Sequence, residues 1–426
     1  MPVKLLCLSN GHGEDAIALR ILKALQAHPA QPKLAVLPLV GEGHAFTDSG
    51  IPIIGAVKQM PSGGFIYMDG RQFVRDLQGG LVKLTLNQLQ VVRQWARSGG
   101  SILAVGDIVP LLFAWWSGAT YAFVGTAKSE YYLRDEAGLL SRQTWFEQLE
   151  SWSGSVYLPW ERWLMSRRRC RAVFPRDTLT TEILQRWQIP AFDLGNPMMD
   201  GLEVPLDLPS ATIQELTVVL LPGSRAPEVY RNWQKILLAV QALKDALPGR
   251  SLRFLGAIAP SLELEPLKQQ AIAQGWELSS QSVVEELPGV SAQQLIQGKA
   301  SLSLRQSGFG ASLHQADFAI AMAGTATEQF VGLGKPAVIL PGEGPQFTPA
   351  FAEAQTRLLG PSVILIQQPT DAAGVIQALL QDPDRLQLIA ANGQRRMGQS
   401  GAAQRIANCL LHLHPKNGGY RCSHTA

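Results

Sequence analysis

The stretch that most constrains the fold is an apolar run followed by a tight polar turn, at residues 217–229. Residues 217–221 form an uninterrupted apolar run, which is typical of a buried parallel strand. The turn after it contains Gly223 and Ser224, and a helix is predicted to begin there. Because a helix N-terminus beside a guanidinium group binds anions, Gly223, Ser224 and Arg225 predict a seat for a phosphate or diphosphate. The alternative is an ordinary turn in which Ser224 caps the helix and Arg225 lies in solvent.

Composition limits the class of protein. At about 150 residues per domain, a chain of 426 residues predicts two domains. A hydrophobic content of 46% and a charged content of 17% indicate a globular protein, and a net charge of +3 is too small to indicate nucleic-acid binding. Four cysteines without a CxxC pair, and an N-terminus without a signal-peptide pattern, predict a cytoplasmic protein.

Strand and helix patterns alternate along the chain, stop, and then start again. Predicted strands in the first half include residues 34–40, 51–57, 101–106 and 192–194, and a second series begins at residue 217. Such alternation predicts an α/β fold with two doubly wound, Rossmann-like domains. We expect one domain over residues 1–197, a linker over 198–213, a second domain over 214–395, a C-terminal helix over 396–413, and a disordered polar tail over 414–426.

Two loops in the first half carry candidate catalytic residues. The loop NGHGED at residues 10–15 joins the first strand to the first helix, and His12 in it is a candidate for orienting a substrate or accepting a proton. Glu14 is interpreted as a first-turn residue that complements the helix dipole. Asp107 follows a buried strand, at the edge where open α/β sheets bind ligands, so it is a candidate general base. The alternative for Asp107 is a helix N-cap.

The second half offers a further small-residue turn. Gly324 and Thr325 follow an apolar strand and precede a helix, which predicts a second anion or ligand seat. Glu328, one turn along that helix, is a candidate acceptor for ribose hydroxyls. A capping box with Thr325 as N-cap is the competing interpretation. Gln346 is predicted to open the next helix and is a candidate contact for a base or sugar.

Two apolar surfaces raise the possibility of lipid contact. Residues 65–95 carry apolar side chains near helical spacing, which fits either core packing or an acceptor groove. Trp160 and Trp163, followed by Arg167, Arg168 and Arg169, suit an anionic lipid surface. A core tryptophan pair beside a solvated charge run is the alternative. No apolar stretch approaches the ~20 residues that span a bilayer, so membrane contact would be peripheral.

Four motifs together resemble the lipid-A-disaccharide synthase family. PGSRAPEV at 222–229 is similar to that family's phosphate-side motif, and AGTATEQFVGLGKP at 323–336 is similar to its nucleotide-sugar-binding turn and helix. VGDIVP at 105–110 resembles its acidic catalytic segment, and DLGNPMMDGL at 193–202 resembles the segment before its interdomain linker. The loop NGHGED departs from the family's AGExSGD-type loop and looks closer to that of transferases acting on polyprenyl or diacylglycerol acceptors.

The resemblance implies a GT-B-like architecture, in which the two domains face a cleft. It also implies an inverting, metal-independent glycosyltransferase that moves a sugar from a UDP-sugar to a lipid-linked acceptor without a cofactor. In that interpretation Asp107 is the base, Arg225 holds the diphosphate, and Glu328 with the Gly324–Thr325 turn binds ribose and phosphate near Gln346. A nucleotide-sugar 2-epimerase, and a non-catalytic relative that binds a nucleotide or lipid, are the alternatives.

Overall fold

The chain forms two compact α/β units. The computed structural model describes residues 3–57, 81–140, 151–202, 215–287 and 290–413. The first unit comprises the described residues up to Asp200 and those from Ser400 onward, and the second unit is Gly201–Gln399. The predicted polar tail, most of the predicted linker, and residues 65–80 of the apolar region lie outside the described residues.

The first unit is built on a parallel sheet. Buried apolar runs supply its strands, which suits a sheet covered on both faces. The strand order is β2-β1-β3-β4-β7, and a short antiparallel pair, β5 and β6, lies apart from the sheet. The strands of this unit are β1 (Lys4–Ser9), β2 (Lys33–Pro38), β3 (Ser101–Gly106), β4 (Tyr121–Gly125), β5 (Arg134–Asp135), β6 (Gly138–Leu139) and β7 (Cys170–Phe174).

Helices connect these strands. The helices of the first unit are α1 (His12–Ala27), α2 (His44–Thr47), α3 (Leu81–Arg97), α4 (Ile108–Ser117), α5 (Pro159–Met165), α6 (Thr178–Arg186) and α14 (Ala402–His412). The chain leaves β1 for β2 on one side and later enters β3 on the other side of β1. This reversal is the doubly wound order that the alternating pattern predicted.

The second unit is built on a larger mixed sheet. Its strand order is β10-β11-β12-β9-β8-β13-β14-β15, and the part from β12 to β15 is parallel. Its strands are β8 (Glu215–Leu221), β9 (Ser251–Ala257), β10 (Glu277–Leu287), β11 (Val290–Gln297), β12 (Ala300–Arg305), β13 (Phe318–Ala321), β14 (Ala337–Ile339) and β15 (Val363–Leu365). Its helices are α7 (Glu228–Ala246), α8 (Leu264–Ala273), α9 (Phe309–Gln315), α10 (Thr325–Gly332), α11 (Pro349–Leu359), α12 (Asp371–Leu380) and α13 (Pro383–Met397).

Two predicted strands of the first unit are wrong. Residues 51–57 contribute a single bridge, from Ile53 to Val36, and residues 192–194 are preceded by a single bridge from Ala191 to Val173. Pro52 cannot donate to a strand ladder because it lacks an N–H group. The second segment is bounded by Pro190 and Gly195, which leaves too few residues for a paired strand.

The antiparallel hairpin at the edge of the second sheet was not predicted. Strands β10 and β11 pair with each other, and β11 pairs antiparallel with β12. The dipeptide Pro288-Gly289, a pair typical of turns, stands between these two strands in the sequence.

None of the described helices is both long and apolar enough to cross a membrane. Cys7 and Cys170 are buried free thiols, and Cys409 takes part in a disulfide. The sequence analysis did not predict this disulfide.

Asp200 attaches the C-terminal helix α14 to the first unit. Its carboxylate accepts hydrogen bonds from the backbone N–H groups of Gly401 at 2.6 Å, Ala402 at 3.1 Å and Ala403 at 2.7 Å. These are orphan donors at the start of a helix, so one side chain supplies what the helix cannot supply internally. Helix α14 also packs on α1.

We predict that Asp200→Ala lowers the stability of the first unit by about 2–3 kcal/mol, because three buried or half-buried donors lose a charged acceptor. Hydrogen exchange at Gly401, Ala402 and Ala403 should become faster. The matched control is Asp193→Ala, which removes an exposed carboxylate seven positions earlier. Unchanged exchange at the start of α14 in Asp200→Ala would contradict this role.

Candidate active site

The first candidate site lies at the carboxyl ends of β1 and β3. These strands are neighbours, and the chain leaves them in opposite directions across the sheet. Ligands of open α/β sheets bind at such switch points. Asn10 follows β1 directly, Asp107 follows β3 directly, and Glu14 lies in the first turn of α1.

Asp107 is a helix N-cap, which is one of the two roles that the sequence left open, and its role as a general base stays a prediction. As N-cap of α4, its Oδ1 accepts a hydrogen bond from the N–H of Val109 at 2.8 Å. Its Oδ2 accepts a hydrogen bond from Nδ2 of Asn10 at 3.1 Å. Capping therefore occupies one carboxylate oxygen and orients the other toward the end of β1.

The surroundings of Asp107 favour its protonated form. Burial raises the pKa of this carboxyl above its ordinary value, and the negative charge of Glu161 raises it further. The hydrogen bonds from Val109 and Asn10 and the charge of Lys128 oppose that rise. A raised pKa moves a carboxylate toward the range useful for proton transfer near neutral pH.

Glu14 is also part of this site. Its Cγ would lie 3.1 Å from a Cβ built on Gly106, so the glycine lets this side chain pack directly against the turn that carries Asp107. Burial raises the pKa of Glu14 to about 7, and the charges of Asp107 and Asp15 contribute to the rise. The sequence analysis had assigned Glu14 only to the helix dipole.

His12 begins helix α1 instead of lying in a loop. Its side chain lies outside the described residues. Its catalytic role therefore stays a prediction from the sequence.

The second candidate site lies at the carboxyl ends of β8, β13 and β14. Strands β8 and β13 are neighbours at the point where the strand order of this unit reverses. Gly223 follows β8, Gly324 follows β13, and residues 341–347 follow β14. The fold thus brings the two predicted turns and Gln346 to the same edge of one sheet.

The prediction that a helix begins at Ser224 is wrong. Helix α7 begins at Glu228, and its N-cap is Pro227. A residue before proline avoids the helical region, so Ala226 separates the turn from the helix. Ser224 and Arg225 are consequently exposed turn residues, and Ser224 does not cap the helix. Any contact of Arg225 with an anion would come from its guanidinium group.

The turn at Gly324 does lead directly into a helix. Gly324 is the N-cap of α10 and provides no side-chain cap, and Thr325 is the first helical residue. The capping box with Thr325 as N-cap is therefore wrong. Nε2 of Gln355 donates to the carbonyl groups of Ala323 at 3.3 Å and Gly324 at 3.2 Å, which fixes the turn. The first N–H groups of α10 retain the anion-binding character of a helix N-terminus.

Glu328 lies one turn into α10 and is buried, with 6% of its surface exposed. Thr327 Oγ1 donates to the carbonyl oxygen of Ala323 at 2.6 Å, which tightens the same turn. The turn at Gly324 and the carboxyl group of Glu328 are thereby held together at the start of the short helix α10.

Glu228 holds the loop that carries Gln346. One carboxylate oxygen accepts from the N–H of Gln346 at 3.0 Å and the other from the N–H of Phe347 at 2.9 Å. The side chain is 4% exposed. A Cβ at Gly344 would collide with this carboxylate, so glycine is required there. Gln346 thus lies in a loop held by α7, and not at the start of a helix as predicted.

Two further side chains of α7 hold the surrounding loops. Asn232 donates from Nδ2 to the carbonyl oxygen of Pro222 at 2.9 Å. Lys235 forms an ion pair with Glu343, with 2.8 Å between Nζ and Oε1. Together with Glu228 these residues are spaced by four and three positions, which places them on one face of the helix.

Sequence reasoning missed Asn10, Glu228 and Gln355 and undervalued Glu14. A signal existed for Asn10, because it follows the first strand as Asp107 follows the third. Glu228 and Gln355 act on segments more than thirty positions away, at 346–347 and 323–324. No local pattern indicates such pairings.

Comparison with known proteins gives a likeness of fold. No family profile and no curated protein matches the sequence. A Listeria monocytogenes protein provisionally assigned as a UDP-N-acetylglucosamine 2-epimerase is similar with a TM-score of 0.58 and 13% identity, over 98% of each chain. The UDP-GlcNAc 2-epimerase of Neisseria meningitidis, bound to UDP-GlcNAc, has a TM-score of 0.53 and 14% identity over 96% of this chain and 100% of its own. MurG of Acinetobacter baumannii has a TM-score of 0.53 and 14% identity, over 96% of this chain and 99% of its own.

These structures have the GT-B-like fold with two Rossmann-like domains, which confirms the predicted fold class. They are 2-epimerases and MurG, and not lipid-A-disaccharide synthases. Of what that resemblance implied, the comparisons support the GT-B-like fold.

We predict that Glu228→Ala releases the loop at 342–347. Two backbone donors lose a charged acceptor, at a cost of about 1.5–3 kcal/mol, so hydrogen exchange at Gln346 and Phe347 should speed up by about 10- to 100-fold. Asp245→Ala, at the far end of the same helix, is the control and should leave these amides unchanged. Equal exchange rates in both variants would show that Glu228 does not hold the loop.

Proposed function

We propose that the chain is an enzyme that acts on a UDP-sugar. The observation that carries the proposal is the start of α10, where a helix N-terminus without a side-chain cap follows a strand at the switch point of the second unit. A diphosphate suits this position because backbone N–H groups and the helix dipole both favour negative charge. Glu328, one turn along, is suited to accept hydrogen bonds from ribose hydroxyls.

Asp107 is the proposed base. It lies at the switch point of the first unit, and its burial favours a proton-accepting carboxylate with a raised pKa. Arg225 is proposed to contact the diphosphate through its guanidinium group, and Gln346 to contact the nucleotide from the loop that Glu228 holds.

The first candidate reaction is epimerisation at C2 of the sugar. Solved structures with the same fold include UDP-GlcNAc 2-epimerases, one of them with UDP-GlcNAc bound. Inversion at a carbon that bears hydrogen requires a base and an acid beside the sugar, and it requires no acceptor. UDP-GlcNAc is accordingly the first substrate to examine.

The second candidate is transfer of the sugar to a lipid-linked acceptor, and one surface favours it. Trp116, Trp160 and Trp163 are 44–54% exposed on helices α4 and α5 of the first unit. Arg93 stacks on Trp116 at 5.2 Å and Arg167 stacks on Trp163 at 4.3 Å. Exposed indole rings beside arginines are favoured at an anionic lipid surface. We call these five residues the tryptophan–arginine surface.

Incubation of the purified protein with UDP-GlcNAc in D₂O, followed by proton NMR, tests the first candidate. Epimerisation breaks the C2–H bond, so the product should be the C2 epimer with deuterium at C2. Asp107→Asn should lower turnover by about 10²- to 10⁴-fold while it keeps the helix cap. The control is Asp193→Asn, on an exposed residue. Release of UDP only when a membrane lipid extract is added would favour sugar transfer. Full activity of Asp107→Asn would show that Asp107 is not the base.

Sedimentation with vesicles that contain anionic lipid tests the second candidate. Replacement of both Trp160 and Trp163 by alanine should reduce the bound fraction several-fold, because two interfacial rings are lost, and salt should weaken the remaining binding. Leu238→Ala removes a comparably exposed apolar side chain from the second unit and is the control. Equal binding by the double variant and the wild type would contradict membrane contact through the tryptophan–arginine surface.

A further inference from the structure

Glu14 lies against the same turn as Asp107 and has no part in the proposed function so far. It is in the first turn of α1, and its Cγ packs over Gly106, the residue that precedes Asp107. The φ of +129° at Gly106 favours glycine, and a Cβ there would lie 3.1 Å from Glu14 Cγ, closer than most side-chain contacts. The Glu14 side chain is thereby packed against the strand end that carries Asp107.

Among the described residues, the charges that raise the pKa of Glu14 are those of Asp107 and Asp15. Asp15 Oδ1 also accepts a hydrogen bond from the hydroxyl of Ser9 at 2.5 Å. Beyond Asp107 lie Glu161 and Lys128, whose charges act on Asp107 in opposite directions.

A glutamate in the first turn of a helix ordinarily gains stability as the carboxylate, because the helix dipole and free N–H groups favour negative charge. The opposite effect dominates at Glu14. Burial and the two neighbouring carboxylates raise its pKa to about 7, although its backbone hydrogen bond opposes the rise. Near neutral pH a large fraction of Glu14 therefore carries a proton, which a dipole role alone does not explain.

Asn10 supplies a separate indication that a ligand enters this site. Its Nδ2 donates to Asp107, but its Oδ1 is buried without a hydrogen-bond partner among the described residues. Asn10 is 4% exposed. Buried acceptors are normally satisfied, so an orphaned one beside two carboxyl groups indicates a place for a donor such as a sugar hydroxyl.

Resting on the proposed function, we propose that Glu14 is a catalytic residue that donates a proton to the bound sugar nucleotide in the turnover in which Asp107 removes one. The substrate proton passes to the Asp107 carboxylate, and the Glu14 proton passes to the substrate atom that gains one. Asp107 ends protonated and Glu14 ends ionised. Exchange of one proton with water at each group restores both, and no oxidation or reduction takes place.

Glu14→Gln tests the assignment with two readouts. Glutamine keeps the shape but cannot give up a proton, so turnover of UDP-GlcNAc should fall about 10²- to 10⁴-fold and the pH dependence near 7 should disappear. The control is Glu182→Gln, which alters an exposed glutamate of α6. Carbon NMR of labelled glutamate carboxyls gives the second readout. A carboxyl that titrates near pH 7 should be absent from Glu14→Gln and should titrate at a lower pH in Asp107→Asn, where a neighbouring charge is gone.

Two results would overturn the assignment while the proposed function stands. One is turnover by Glu14→Gln at the wild-type rate. The other is titration of Glu14 near the ordinary glutamate pKa of about 4.3. A wild-type protein that turns over no UDP-sugar, with or without lipid, would overturn the proposed function itself. The two failures are therefore distinguishable, because the first requires a wild-type protein that turns over a UDP-sugar, and the second is the absence of that turnover.

Discussion

Parallel pairing around a central strand is the constraint on which the rest of the structure depends. In each unit the chain enters the sheet near its middle, adds strands on one side, and then returns to the other side. The chain leaves the two central strands toward opposite sides of the sheet, so the loops that follow them separate and leave space for a ligand. The candidate groups of each unit follow from this arrangement: Asn10, Glu14 and Asp107 in the first, and the Gly223 turn, the start of α10 and the loop at 341–347 in the second.

Local packing gives these loop residues defined positions. Glycine at 106 and at 344 leaves room for a glutamate side chain close to the backbone. At Gly344 the approaching carboxylate is that of Glu228, which is fully engaged by two N–H groups and is structural. At Gly106 the neighbouring side chain is that of Glu14, whose Cγ packs there and whose pKa is raised by burial and by the charges of Asp107 and Asp15. The same packing feature thus holds a loop in one unit and raises a pKa in the other.

Much of the fold was predictable, because buried parallel strands are continuous apolar runs and their loops carry glycine and polar residues. Asp107, Gly223 and Gly324 were placed in this way just beyond the carboxyl ends of such strands, and the structure puts them there. The start of α7 was placed too early because the helix-breaking effect of Pro227 on Ala226 was overlooked. Strand 51–57 was predicted from apolar content, although Pro52 prevents a ladder. Glu228 and Gln355 were missed because they act on segments distant in sequence, and the raised pKa of Glu14 depends on burial that no local pattern reveals.

The central claim is that the second unit binds a uridine diphosphate at the start of α10. A crystal structure of the protein with UDP tests it most directly. The account predicts diphosphate oxygens within hydrogen-bond distance of the first backbone N–H groups of α10, and ribose hydroxyls on the carboxylate of Glu328. Bound UDP elsewhere on the protein, or no bound UDP at concentrations that saturate related enzymes, would contradict the account.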